Sequence, residues 1–360
     1  MKSLVWLRSD LRLNDNPALM AACKNHEEVH AVYIFSKNQL NSHNESNVKV
    51  DFIISNLFHL EKSLRELNIP LTVINSSGFE EDPQAIQQLL SERNINHIYW
   101  NTQFGEDESI RDSVTKNLLE KNNIRVESFY DSVVYKPGVL KTGQGGAYAV
   151  FTPFKRKWIE NFDMDLLDIE YSYKRKISPS ISSNIDSFNF DFDRSHKVDM
   201  SLWPAGEKEA EARLKKFLDE KVIDYSKDRN DPILDGTSRI SPYLACGIIS
   251  PKKCILEALK KNNFELSSGK TGITKWIDEI VWREFYKNIM FSFPKVSKGQ
   301  PFQDYSKKIK WRYDKTEFIA WKDGKTGFPI VDAAMRQILH EGWMHNRLRM
   351  VVAMFFTKNM

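Results

Sequence analysis

The chain of 360 residues has few cysteines, no long apolar run and little net charge, and each shortage excludes a class of protein. Its three cysteines, Cys23, Cys246 and Cys254, form neither a paired framework nor a metal-binding pattern, which is typical of a reducing compartment and predicts no metal site. The longest apolar run, residues 351–356, is far too short to span a bilayer, and the N-terminus lacks the apolar segment of a signal peptide. We therefore expect a cytoplasmic protein without a membrane-embedded part.

The overall charge indicates no partner, because 52 Lys and Arg residues stand against 48 Asp and Glu residues. One segment differs from this balance. Residues 295–325 hold nine basic and four acidic side chains, a local excess of five positive charges. A run of this kind is usually a solvated face, and charge alone favours that interpretation here.

The first 130 residues alternate short β-rich runs with helical stretches. Strands are expected at residues 3–7, 30–35, 71–74, 97–100 and 125–129. Helices are expected between them at residues 17–24, 50–67, 83–93 and 109–121. Each connection is long enough for a crossover helix, so the pattern predicts a doubly wound parallel sheet with helices on both faces. No glycine-rich dinucleotide fingerprint follows the first strand, where Arg8-Ser-Asp10-Leu-Arg12 stands instead, and we predict no NAD-binding domain.

The alternation ends near residue 131, and two further regions follow. Residues 131–200 are polar and rich in Ser, Asp and Asn, which favours a long linker that holds one or two helices and packs over both domains. The three glycines within 143–146 indicate a flexible turn rather than a phosphate-binding loop. From residue 201 to 360 only helical periodicity remains, with helices expected at 205–220, 251–261, 273–291, 329–339 and 343–357.

Three segments of the helical half combine small polar, aromatic and charged side chains. The first, residues 236–242, precedes a helical run, where Thr237 and Ser238 either cap the helix or help to cradle a phosphate. The second is the helix at 276–291. There Glu279 and Arg283 either form an ordinary i,i+4 ion pair or face a ligand, and Trp282 either packs in the core or stacks on an unpaired base.

The third segment is 345–350, in which Asn346 and Met350 share a helical face. Its basic residues indicate either a surface-lying helix or a phosphate contact by Arg347. Arg349 is followed by apolar residues, so we expect it to be partly buried and to need a carboxylate partner.

The residue sequences of these segments closely resemble those of the photolyase/cryptochrome family. The matching motifs run along the whole chain: Leu4-Val-Trp6-Leu-Arg8-x-Asp10-Leu-Arg12, Phe151-Thr-Pro-Phe154, Gly236-Thr-Ser-Arg-Ile-Ser241, Trp282-Arg-Glu-Phe-Tyr286, Gly327-Phe-Pro-Ile-Val-Asp-Ala-Ala-Met335 and Trp343-Met-His-Asn-Arg-Leu-Arg-Met350. The resemblance implies an α/β antenna domain over residues 1–130, an interdomain linker over 131–200 and an all-helical FAD-binding domain over 201–360.

The resemblance also implies roles for individual residues. The residues that would contact FAD are Tyr225, Thr237, Ser238, Arg239, Ile240, Ser241 and Trp276. The residues that would face DNA are Arg229, Glu279, Trp282, Arg283, Tyr286, Asn346 and Arg347, and those that would line the lesion pocket are Glu279, Trp282, Asn346 and Met350. Trp311 matches the solvent-side member of the family's electron-transfer chain. His43, Glu108 and Lys298 match an antenna site for methenyltetrahydrofolate, with Asp107 where an Asn is usual.

The activity implied is that of a class I cyclobutane pyrimidine dimer (deoxyribodipyrimidine) photolyase, in which light drives electron transfer from reduced FAD to a dimer flipped out of the duplex. Asn346 favours repair over a cryptochrome-type photoreceptor, because an amide can both donate to and accept from a pyrimidine edge. Family members continue beyond the position of Met360, so the helical domain is expected to be incomplete. An inactive truncated photolyase is therefore the third interpretation. The expected partner is double-stranded DNA containing pyrimidine dimers, bound by a monomer.

Overall fold

Five parallel strands form one sheet in the N-terminal half of the computed structural model, which describes residues 2–169, 171, 175, 177 and 179–360. The strands are β1 Lys2–Leu7, β2 Glu28–Ser36, β3 Leu71–Ser76, β4 His97–Asn101 and β5 Arg125–Phe129. Their order in the sheet is β3-β2-β1-β4-β5, so the chain reverses direction across the sheet at β1. The predicted doubly wound parallel sheet is confirmed, with every predicted strand within two residues of its observed ends.

Five helices accompany the sheet, at α1 Pro17–Asn25, α2 Lys37–Ser42, α3 Asn47–Glu66, α4 Asp82–Glu92 and α5 Glu106–Lys121. The sequence predicted all of them except α2, whose six residues bury no side chain and therefore carry no apolar periodicity. Helix α1 begins with Pro17 after Asn16, whose side chain accepts a hydrogen bond from the N–H of Leu19.

The two faces of the sheet belong to different cores because side chains alternate along each strand. Trp6 and Trp100 lie on one face, with ring centroids 5.7 Å apart in an edge-to-face arrangement, and pack with apolar residues of α4. Val5 and Leu7 lie on the other face, in the larger core that continues into the helical half. The two halves of the protein therefore share one apolar interior.

The described part of the predicted linker holds one α-helix, α6 Phe151–Glu160, and short 3-10 helices at Met164–Leu167 and Ile185–Ser187; residues 170, 172–174, 176 and 178 lie outside the described residues. The remaining helices are α7 Glu207–Glu220, α8 Tyr225–Asp228, α9 Ser241–Ala245, α10 Pro251–Lys261, α11 Thr271–Ser292, α12 Lys315–Lys322, α13 Pro329–Glu341 and α14 Asn346–Asn359. All five helices predicted for this half are present. Helix α13 ends at Gly342, whose left-handed conformation is typical of a helix C-terminus.

The start of α14 differs from the prediction by three residues. His345 is its N-cap, and its ring nitrogen accepts a hydrogen bond from the N–H of Arg347 at 3.2 Å. The sequence placed the start at Trp343, because the apolar side chains of Trp343 and Met344 continue the helical pattern. In the structure both side chains are buried, but they lie before the helix begins.

The two halves meet at the carboxyl end of β1. Arg12 is 2% exposed, and its guanidinium donates to the Asp131 carboxylate and to the Gly247 carbonyl, both at 2.9 Å. Gly247 has φ of +65°, and a Cβ at this position would lie 2.0 Å from the carbonyl oxygen of Ser9. Sheets of this kind usually bind ligands at this edge. Here the part of that edge next to β1 is filled by contact between the two halves.

A second junction attaches the linker to α11. The buried carboxylate of Glu284 accepts hydrogen bonds from the backbone N–H groups of Val134 at 2.7 Å and Tyr135 at 3.0 Å, and from the indole N–H of Trp158 at 3.0 Å. Burial raises the pKa of Glu284 to about 7. Three donors therefore converge on one carboxylate in an apolar setting.

Candidate functional site

A cavity of about 810 Å³ lies in the helical half, lined by α3, α9, α11, the segment before α14 and the first turn of α14. All seven residues that the resemblance assigned to FAD lie in its wall: Tyr225, Thr237, Ser238, Arg239, Ile240, Ser241 and Trp276. They come from three separate parts of the sequence, and the fold brings them together. The volume is within the range of about 300–1,000 Å³ typical of cofactor and ligand pockets.

The segment 237–241 forms a curved piece of backbone at this wall. Arg239 has a positive φ of 49°, and Ile240 follows in the right-handed helical region. Such a reversal produces a concave turn of backbone of the kind that binds anions. The capping alternative is wrong for Thr237 and Ser238, because α9 begins at Ser241 with Ile240 as its N-cap and no side-chain cap. Ser238 instead accepts a hydrogen bond from the indole N–H of Trp276 at 3.3 Å.

An aromatic wall stands beside this turn. Trp276 is 2% exposed and lies against Phe217, with ring centroids 5.4 Å apart, while Tyr225 meets Phe217 edge-on at 5.6 Å. Burial raises the pKa of Tyr225 to about 12, so this side chain remains a neutral hydroxyl donor at physiological pH. The wall can accept a flat ligand against an apolar surface.

Several lining residues carried no signal in the sequence. Lys49 and Phe52 come from α3, so the N-terminal half contributes to a cavity of the helical half. Trp203 and Trp343 also line it, and the guanidinium of Arg239 lies 4.6 Å from the Trp343 ring centroid while pairing with Glu341 at 2.9 Å. The sequence assigned no role to Trp203, and Trp343 entered only as a member of a family motif.

Charged groups surround the part of the cavity near Asn346. Glu279 lines the cavity and forms an ion pair with Arg229, so the alternative of a Glu279–Arg283 ion pair is wrong. Arg347 is exposed and donates through two guanidinium nitrogens to the side-chain oxygen of Asn230. Asn346 also lines the cavity and is exposed.

Trp282 and Met350 are not among the residues that line the cavity. The Trp282 ring is stacked on Phe151, with centroids 3.6 Å apart and planes within 9°. Tyr286, one turn later, is 59% exposed, and Met350 is 49% exposed. Of the four residues expected in one lesion pocket, the structure therefore groups only Glu279 and Asn346 in the cavity wall.

Two arginines have structural contacts that the sequence did not indicate. Arg283, expected to face DNA, is largely enclosed in the cavity wall and donates to the carbonyl oxygens of Ser132 and Leu244. Arg349 donates to the carbonyl of Met344 at 3.1 Å, and burial lowers its pKa. No carboxylate among the described residues pairs with Arg349, so the predicted carboxylate partner is wrong.

A polar cluster forms at the predicted antenna site. His43 Nε2 lies 3.5 Å from Asp107 Oδ2, and His43 Nδ1 lies 4.0 Å from Glu108 Oε1. Lys298 pairs with Asp107 from the opposite side, and its hydrogen bond lowers the pKa of Asp107. Ser297 accepts a hydrogen bond from the N–H of Glu106 at 3.0 Å. The structure thus brings His43, Glu108 and Lys298 together from three distant parts of the chain.

Trp311 lies in the extended segment before α12 and is 63% exposed. Much of the neighbouring basic run is paired, for example Lys295 with Asp304 at 3.4 Å and Arg312 with Glu317. Within the described part of the chain, no helix is long and apolar enough to cross a membrane, and no group of three or more His, Cys, Asp or Glu side chains is arranged to hold a metal ion.

Comparison with known proteins agrees with this arrangement. A family model described as DNA photolyase matches residues 3–171, and one described as the FAD binding domain of DNA photolyase matches residues 276–360. A curated deoxyribodipyrimidine photo-lyase of Vibrio cholerae is 37% identical over 99% of this chain and 76% of its own length. That of Escherichia coli is 36% identical over 99% of this chain and 75% of its own length.

Solved structures give the same result. A bacterial class III photolyase from Agrobacterium tumefaciens superposes with a TM-score of 0.86 at 30% identity, over 98% of this chain and 72% of that one. A cryptochrome from Synechocystis shares the fold, with a TM-score of 0.81 at 23% identity over 100% of this chain and 75% of that one. From the length and level of these identities, the chain belongs to the DNA photolyase family.

Proposed function

We propose that this protein is a deoxyribodipyrimidine photo-lyase, which binds FAD and repairs cyclobutane pyrimidine dimers in DNA when illuminated. The observation that carries the proposal is the single cavity whose wall contains Tyr225, Trp276 and the turn at 237–241 beside Asn346. Its near relatives from Vibrio cholerae and Escherichia coli bear the same enzyme name at 37% and 36% identity.

The residues present fit FAD. The concave turn at Arg239 lies in the cavity wall and suits a pyrophosphate, because backbone of this conformation binds anions through its N–H groups. Trp276 and Tyr225 supply an apolar and hydroxyl-bearing wall for the flat rings, and Arg349, which also lines the cavity, supplies a positive charge. When bound, the flavin supplies light absorption and a single electron. The work of this chain is then to bind the flavin, exclude water from it and hold the lesion beside it.

The DNA surface in this proposal surrounds Asn346. Arg347 is exposed beside it and suits a phosphate, while the Arg229–Glu279 pair lies at the cavity wall. The Asn346 amide can donate to and accept from a pyrimidine edge. Phosphate contacts set affinity for any DNA, whereas contacts to the extruded bases set preference for the lesion.

The test has two stages. First, the purified protein is mixed with FAD, and flavin absorption is measured after gel filtration. The flavin is then reduced, and the complex is illuminated with an oligonucleotide that carries one cyclobutane dimer. Repair in light but not in darkness supports the proposal. Retained flavin without repair, or equal affinity for damaged and undamaged DNA, contradicts it and favours a light-signalling role; failure to retain flavin favours the inactive-photolyase interpretation.

We propose methenyltetrahydrofolate as the antenna chromophore, held by His43, Glu108 and Lys298. These groups offer both charges within one cluster, which suits a ligand that carries a cationic ring and a carboxylate tail. Added folate should give a retained near-UV band that Lys298→Met abolishes. Lys295→Met removes an exposed lysine from the same segment and should leave the band unchanged. Loss of the band in both variants, or in neither, contradicts the assignment.

Two further expectations remain predictions. We propose that the protein is cytoplasmic, because chromosomal DNA is accessible in that compartment, and that it is a monomer in solution. Light scattering after gel filtration measures the mass directly. A mass near twice the 42.0 kDa of one chain would overturn the monomer.

A further inference from the structure

The stacked pair Phe151–Trp282 joins the linker to the helix that borders the cavity. Its ring separation of 3.6 Å and tilt of 9° make it the closest and flattest ring pair among the described residues. Aromatic pairs in proteins more often meet edge-on or at larger offsets. A face-to-face pair at this distance covers much of one face of the Trp282 indole.

The position of Phe151 is fixed by the helix that it begins. Helix α6 is tied to α11 by the ion pair of Lys155 with Asp278 at 2.6 Å and by the hydrogen bond from Trp158 to Glu284 at 3.0 Å. Phe154, on the same helix, is buried against Phe285 with centroids 5.4 Å apart. Phe151 is therefore held against Trp282 by a well-anchored helix rather than by a mobile loop.

Trp282 itself lies beside the cavity. It follows Glu279, a cavity-lining residue, by three positions on α11, and residues three apart are neighbours on a helix surface. Its ring is only partly buried: Phe285 meets it edge-on at 5.7 Å, and the exposed Tyr286 lies nearly parallel to it, also with centroids 5.7 Å apart. With Phe151 covering one face, the partly accessible indole is held in one orientation.

We infer that Phe151 is a positioning residue for lesion recognition, which acts by holding the Trp282 indole in a single plane so that the remaining surface of the ring can receive an extruded pyrimidine. The inference rests on the proposed repair function and extends it to the linker. A ring that is already ordered loses little conformational entropy when a base stacks on it. Without Phe151 the indole would have to be ordered at each binding event.

The experiment compares Phe151→Ala, Phe151→Leu and Phe151→Tyr with the wild type and with Val150→Ala. Val150 is the neighbouring residue, is 61% exposed and makes no side-chain cap, so it is the matched control. Affinities for a dimer-containing duplex and for the same undamaged duplex are measured in darkness by fluorescence anisotropy. The repair rate is measured separately with saturating damaged DNA.

We expect Phe151→Ala and Phe151→Leu to lower the preference for damaged over undamaged DNA by about three- to tenfold, the loss of one stacked pair. In these two variants, the affinity for undamaged DNA and the saturated repair rate should stay unchanged. Phe151→Tyr keeps the flat ring and should therefore keep the wild-type preference for damaged DNA. Full preference in Phe151→Leu, an equal loss for both DNAs, or an equal loss in Val150→Ala would overturn the inference. A wild type that prefers neither DNA would instead refute the proposed function.

Discussion

Glu284 provides a quantitative prediction about the junction between the linker and α11. Its pKa of about 7 in the folded protein lies above the ordinary value of 4.5, because burial penalises the charged form. Folding therefore takes up a proton between these two values. This group should therefore lower the unfolding free energy by about 3 kcal/mol in total as pH rises from 4.5 to 7. Above pH 7 its contribution should stay level.

Glu284→Gln separates this titration from the hydrogen bonds. A glutamine oxygen can keep the bonds from Tyr135 and Trp158, but its amide group then faces the N–H of Val134, and one buried donor loses its acceptor. That loss costs about 1–3 kcal/mol. Because glutamine does not titrate, the variant should be most destabilised relative to the wild type near pH 5 and least destabilised near pH 8.

The assay is urea unfolding followed by tryptophan fluorescence at several pH values between 5 and 8. Glu160→Gln, an exposed carboxylate on α6, is the control and should show no pH-dependent difference from the wild type. Protease cleavage within residues 136–150 should also be faster in Glu284→Gln, because the adjoining backbone loses a tether. A difference between Glu284→Gln and the wild type that is independent of pH, or that grows with pH, would refute the reasoning, since it would mean that the three donors keep Glu284 ionised.

Three further predictions concern the domain junction and the DNA surface. Gly247→Ala should lower the unfolding free energy by about 2–4 kcal/mol in urea titrations, from left-handed backbone strain and overlap with Ser9, whereas Gly143→Ala, in open space, should be nearly neutral. Arg347→Ala should weaken binding to damaged and undamaged DNA alike and reduce the salt dependence of log K by about 0.9, measured by anisotropy at several salt concentrations. Trp282→Ala should instead reduce the preference for damaged DNA by about 1–3 kcal/mol in the same titrations, and equal losses for both DNAs would contradict its role.

The sequence predicted the parallel sheet because strand and helix patterns alternate over short distances, and local periodicity is enough to identify them. It predicted the cavity wall through the resemblance of short motifs, and those residues do converge. It failed where partners are far apart in sequence. Nothing local indicates that Glu279 pairs with Arg229, 50 residues earlier, instead of Arg283.

The sequence also did not predict which residues of α3 and of the linker lie at or beside the cavity, because their partners there are distant in the sequence. Lys49 lies on an ordinary amphipathic helix of the N-terminal half, and only the docking of the two halves turns it toward the cavity. Phe151 likewise belongs to a motif of the linker, and its stacking on Trp282 depends on how α6 crosses α11. Such contacts follow from tertiary packing, which periodicity and propensity do not encode.

The filled edge of the sheet also has a consequence for the order in which the protein is made. Synthesis delivers the five strands first, and Arg12 then has the Asp131 carboxylate only two residues beyond β5. The Asn14 and Asp15 carbonyls, which also accept from Arg12, are made early as well. A further acceptor, the Gly247 carbonyl, arrives much later, when α9 has left the ribosome. Until then the nascent sheet carries an incompletely satisfied cation and an open apolar flank. The N-terminal half should therefore reach its final stability only after the helical half has begun to dock, so that the two halves mature as one folding unit.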